Sequence, residues 1–93
     1  MAPVIHYECL SELLPVVEAA LAAHGYAITE PMQKSIGGGH ALVMGAGSAS
    51  ILLAHPSDRD RAEIEVWGTA RDAAAHFLES LPVKLQRCYR SST

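Results

Sequence analysis

Between His40 and Trp67 apolar and polar positions alternate with a period of two, and turn residues interrupt the alternation twice. Side chains alternate faces along a strand, so this pattern predicts three antiparallel strands. Gly47-Ser48 suits a two-residue type II′ hairpin, because glycine can take φ > 0 at the first central position. Pairing outward from that turn sets Ala46 opposite Ala49, Met44 opposite Ile51, Leu42 opposite Leu53 and His40 opposite His55. The second turn, Pro56 to Arg61, is polar and opens on proline. Closing it with His55 opposite Ala62 brings Leu53 to Ile64 and Ile51 to Val66. One face of this meander then carries His40, Leu42, Met44, Ile51, Leu53, His55, Ala62, Ile64 and Val66, a core face. The other carries Ala41, Val43, Ser50, Leu52, Ala54, Glu63, Glu65 and Trp67.

The flanks read as two strand–helix units. Val4 to Cys9 alternates as a strand, with Ile5, Tyr7 and Cys9 on one face and His6 and Glu8 on the other. Leu13, Val17, Ala20, Leu21 and His24 recur at helical spacing, with Ser11 as the expected N-cap, Pro15 in the first turn and Gly25 as the stop. Tyr26 to Ile36 predicts a strand broken at Pro31, which places it on a sheet edge or at a bulge. Gly37-Gly38-Gly39 leaves the register of the hairpin that follows open. Thr69 to Asp72 has the form of a capping box, and Ala70, Ala73, Ala74, Phe77, Leu78 and Leu81 form the stripe of a second helix ended by Pro82. Val83 to Tyr89 alternates as a last strand would. The fold class is therefore α+β: a small two-layer domain with an antiparallel sheet of four to five strands and two helices on one face. A ferredoxin-like variant, β-α-β-β-β-β-α-β, fits this order.

Composition narrows the picture. The chain has 93 residues, 49% of them hydrophobic, enough for one folded domain and too few for two. Fifteen alanines thin the core, which raises the value of any cover from a partner or a second copy. The net charge of -3 excludes a strongly basic nucleic-acid binder. Lys84, Arg87 and Arg90 gather at the end, so residues 84–93 form either that last strand or a flexible basic tail. No signal peptide and no membrane-length apolar run is present, and the reading is a cytoplasmic protein with reduced Cys9 and Cys88. Side-by-side antiparallel first and last strands would hold those two cysteines toward opposite ends, away from disulfide contact.

Candidate chemistry is sparse. Val43-Met44-Gly45-Ala46-Gly47 begins like a dinucleotide loop but lacks its third glycine and its helix, and a hairpin accounts for it. His40 opposite His55 would set two imidazoles about 5 Å apart at Cβ, near enough to share a metal ion, though the remaining ligands lack any recognisable spacing. Glu63 and Glu65 stand two apart on one strand face, as acid–base carboxylates could, and as solubilising edge charges commonly do. Cys9, Cys88 and the serines lie in no nucleophile motif. Trp67 shares its face with Leu52, Val43, Ala41 and Ala54 beside Glu63 and Glu65, an aromatic and apolar patch with an acidic rim.

The reading is a non-enzymatic regulator or inhibitor, of the kind bacteria and phages encode, which binds another protein or a second copy of itself. It works through the exposed sheet face: Trp67, Glu63, Glu65 and Leu52, with Arg59 and Arg61 at the rim. No cofactor is expected. The alternative is a metal- or small-ligand-binding domain using His40 and His55. A weaker alternative is a small enzyme with Glu63 or Glu65 as acid or base.

Overall fold

The computed structural model describes residues 4–34, 39–55 and 60–88, with backbone alone at 30–34 and 88. Six strands pair into one antiparallel sheet: β1 (Ile5–Leu10), β2 (Ala27–Lys34), β3 (His40–Ala46), β4 (Ala49–His55), β5 (Arg61–Gly68) and β6 (Gln86–Cys88). Helix α1 (Leu14–Ala23) joins β1 to β2, and α2 (Arg71–Glu79) joins β5 to β6. The spatial order β2-β3-β4-β5-β1-β6 places the first strand between the fifth and the last. This is the α+β two-layer class expected, on a ferredoxin-like plan whose central meander is enlarged. The sheet has six strands rather than four to five, because the short segment at Gln86–Cys88 pairs with β1.

The meander takes the expected register throughout the first hairpin, from Ala46 opposite Ala49 to His40 opposite His55. Gly47 has φ +60°, and no residue other than glycine has a positive φ among those described, as a type II′ turn requires. Across β4 and β5, Ile51 meets Val66 and Leu53 meets Ile64. β2 is an edge strand whose register shifts between Ile28 and Gln33, around Pro31, which has no N–H to give to a ladder. Gly37 and Gly38 lie outside the described residues. The register they precede is set with Lys34 opposite His40.

The core lies between the helices and one face of the sheet. Ile5, Tyr7, Cys9, Leu42, Met44, Ile51, Leu53, Ala62, Ile64 and Val66 are buried from the strands, and Val17, Leu21, Ala74, Ala75 and Leu78 from the helices. His24 at the end of α1 stacks face to face on Phe77 of α2, ring centres 3.9 Å apart, and so joins the two helices side by side. The Tyr7 hydroxyl donates to the Glu79 carboxylate, which Arg87 also approaches at 3.5 Å, tying α2 to β1 and β6. Ile28 on β2 is 51% exposed, beyond the cover of the helices.

Three local expectations change. Ser11 does not cap α1. It opens a 3-10 turn, Ser11–Leu13, with its N–H donating to the Asp60 carbonyl at 2.7 Å, and the α-helix starts one turn later at Leu14. Pro15 still falls in the first turn, where its missing N–H removes no internal bond. Thr69 forms no capping box, because α2 starts at Arg71 with Ala70 at the N-cap and no side-chain cap bond. Arg71 Nη1 instead donates to the Gly68 carbonyl at 3.3 Å. The α2 stripe is also rotated, with Ala75 buried and Ala73 exposed.

Cys9 is a buried free thiol, 2% exposed. Cys88 opposes His6, three residues along β1 from Cys9, so the antiparallel pairing separates the two cysteines as expected. Burial pushes the Cys9 thiol up from its ordinary value of 9.0, and the charge of Arg61 offsets part of that rise. The folded state therefore holds this proton after the unfolded chain has released it. Stability contributed by the protonated thiol is complete below pH 9.0 and falls as pH rises through the folded-state value. Urea midpoints measured across the alkaline range should fall more steeply for wild type than for Cys9→Ala.

Candidate functional site

The register assembles the outer sheet face row by row. His6 on β1 opposes Glu65 on β5, which opposes Leu52 on β4, which opposes Val43 on β3. The next row runs Glu8, Glu63, Ala54, Ala41. A third holds Trp67, Ser50 and Gly45. Directly opposed residues share a face, so all of these point away from the helices. All of them are half-buried, and among the described residues the buried side chains of both helices pack with the opposite face of the sheet.

The outer face is divided in two. Its β3–β4 half is small and apolar: Ala41, Val43, Leu52 and Ala54. Its β1–β5 half is acidic: Glu8, Glu63 and Glu65. Arg61, at the start of β5, approaches Glu8 at 3.7 Å and donates to Gln86 Oε1 at 3.0 Å. With both side chains more than a third exposed, that ion pair contributes little. Trp67 closes one end of the face. Val4, just before β1, and Leu10, its last residue, stand 41% and 40% exposed along the β1 side. The expected residues Trp67, Glu63, Glu65, Leu52 and Arg61 thus share one surface. Arg59 lies outside the described residues.

His6 and Glu8 belong to this surface and are not among the contacts expected from sequence. Alternation puts both on the polar side of β1. Only the long-range pairing of β1 with β5 brings them against Glu65 and Glu63. His6 Nδ1 is buried there without a hydrogen-bond partner.

No protein-family model, curated protein or solved structure matches the chain at a significant level.

The inner face offers a second feature. At the ends of β3 and β4, His40 and His55 line a cleft of about 200 Å³ together with Leu42, Leu53, Ser11 of the 3-10 turn, and Leu14, Pro15 and Glu18 of α1. Helical spacing explains the α1 wall, since Leu14 and Glu18 lie four residues apart and fall on one side. Among the described residues no group of three His, Cys, Asp or Glu is placed to hold a metal ion, so the histidine pair stands as two ligands without a third. Glu63 and Glu65 lie on the opposite side of the sheet from this cleft, on an open surface. Acid–base catalysis favours carboxylates in a concave, water-excluding site. No helix among the described residues is long and apolar enough to cross a membrane.

Proposed function

We propose that the protein is a binding module, a small regulator or inhibitor that engages another protein through the outer face of its sheet. The supporting observation is that, among the described residues, the buried residues of both helices pack with one face of the sheet. The other face carries Leu52, Val43 and the sole tryptophan, all half-buried, beside a row of carboxylates. Apolar groups with a large aromatic and a charged border are the composition of a protein interface core and rim.

Charge favours one kind of partner. Glu8, Glu63 and Glu65 lie on this face, and Arg61 pairs with Glu8. A second copy laid on the same face would bury these carboxylates against one another or against the alanines and leucine of β3 and β4. Like charges brought together across an interface are unfavourable, and burying carboxylates carries a desolvation penalty of several kcal/mol each. A partner that presents lysines or arginines interleaved with apolar side chains satisfies both halves of the face, and a strand of alternating lysine pairs and valine pairs carries both kinds on each of its faces.

The sole tryptophan makes the test direct. Emission from Trp67 is followed while the full chain is titrated with a peptide alternating lysine pairs and valine pairs, and separately with one alternating glutamate pairs and valine pairs. The lysine peptide should give a saturable blue shift that weakens as salt is raised, and the glutamate peptide none. Equal responses to the two peptides, or none to either, would refute the reading. Light scattering coupled to size exclusion should find a monomer. A dimer that Trp67→Ser converts to a folded monomer would replace the basic partner by a second copy.

A further inference from the structure

We propose that the cleft at the ends of β3 and β4 is a binding site for a small organic cation, a primary ammonium on a short alkyl chain. The inference is independent of the outer face and rests on different residues. Glu18, His40 and His55 converge on the cavity, and among the described residues none of their side chains makes a hydrogen bond or ion pair to another residue. Polar groups gathered at a concavity and left without internal partners are available to a ligand.

The chemistry of the lining selects the ligand class. Glu18 carries the one full charge among the described lining residues, and it is negative. A neutral imidazole offers one acceptor nitrogen, so His40 and His55 can add two acceptors to the carboxylate. An ammonium has three N–H donors and no acceptor, which matches a carboxylate flanked by two imidazoles. Leu14, Pro15, Leu42 and Leu53 supply the apolar wall that an alkyl chain needs. The volume of about 200 Å³ equals that of roughly seven waters at about 30 Å³ each, enough for an ammonium with a chain of roughly four carbons.

Histidine ring signals give the readout. The full chain is titrated at pH 7.5 with n-butylammonium, and in parallel with butyrate and with butanol. Saturable shifts of the His40 and His55 signals are expected with butylammonium only. Glu18→Gln, verified as folded by circular dichroism, should weaken that binding at least tenfold, because it removes the charge from a charge-assisted hydrogen bond. Glu12→Gln, on the neighbouring exposed turn and outside the cleft, should leave it unchanged. Three results would overturn the proposal: no saturable shift with butylammonium, an equal response to butyrate or butanol, or loss of binding in Glu12→Gln as large as in Glu18→Gln. A shift produced by Zn²⁺ alone, with butylammonium silent, would also overturn it and make the histidine pair a metal site.

Discussion

Gly68→Ala should destabilise the protein by about 3 kcal/mol or more, a fall in melting temperature on the order of 15 °C. Two independent penalties meet at this position. Gly68 has φ +105°, where an L side chain is strained, and a Cβ placed there would stand 2.0 Å from the Ser48 carbonyl oxygen. That oxygen belongs to backbone, so no rotamer change relieves the clash. The contact exists because Gly68 ends β5 opposite Ala49, beside the hairpin turn, where the chain leaves the sheet for α2. Gly47 provides the control. Its φ of +60° is also left-handed, but a Cβ at that position would have nothing within 4 Å, so Gly47→Ala should cost only about 1 kcal/mol. Thermal denaturation of the two variants separates strain from collision. A Gly68→Ala protein that melts within about 5 °C of wild type would contradict the close approach of β5 to the turn.

Charge reversal of the outer face carries the second large effect. The double variant Glu63→Lys, Glu65→Lys should bind the lysine–valine peptide at least about 100-fold more weakly than wild type, equivalent to about 2.7 kcal/mol. It should also gain affinity for the glutamate–valine peptide. Attraction is lost at two adjacent outward positions of β5 and replaced by repulsion, and like charges brought together across an interface cost several kcal/mol. Stability should move little. Glu63 opposes Glu8 directly in the sheet, and like charges in that position are unfavourable, so a lysine there relieves one repulsion. Urea denaturation of the variant checks this. Binding lost together with the fold would show that the face is structural rather than functional.

Much of this architecture is written in local sequence. Gly47-Ser48 sets the register of β3 against β4 down to His40 opposite His55, because a two-residue turn leaves its flanking strands no freedom to slip. Alternation then assigns every residue of the meander to its face. Distant pairing is less legible. Nothing in Val4 to Cys9 says that this strand lies between β5 and β6, so the acidic half of the outer face reads from sequence as Glu63 and Glu65 without Glu8 and His6. The helix starts are misplaced for a related reason. Ser11 and Thr69 have the chemistry of caps, yet the Asp60 carbonyl engages the Ser11 N–H and Arg71 reaches back to Gly68. The Asp60 contact in particular comes from a tertiary neighbour, which local sequence does not announce. The cleft is half visible: the histidine pair follows from the hairpin, whereas Glu18 joins it only through the way α1 is set over the sheet.

An amide map recorded during the lysine–valine titration shows whether the outer face of the sheet is the binding surface. Shifts should concentrate on β3, β4, β5 and β1 around Val43, Leu52, Glu65 and His6, with the Trp67 indole among the largest. Helices α1 and α2 should stay silent. A map with no saturable shifts, or with shifts confined to the helices and the His40–His55 end, would show that the outer face is not the binding surface.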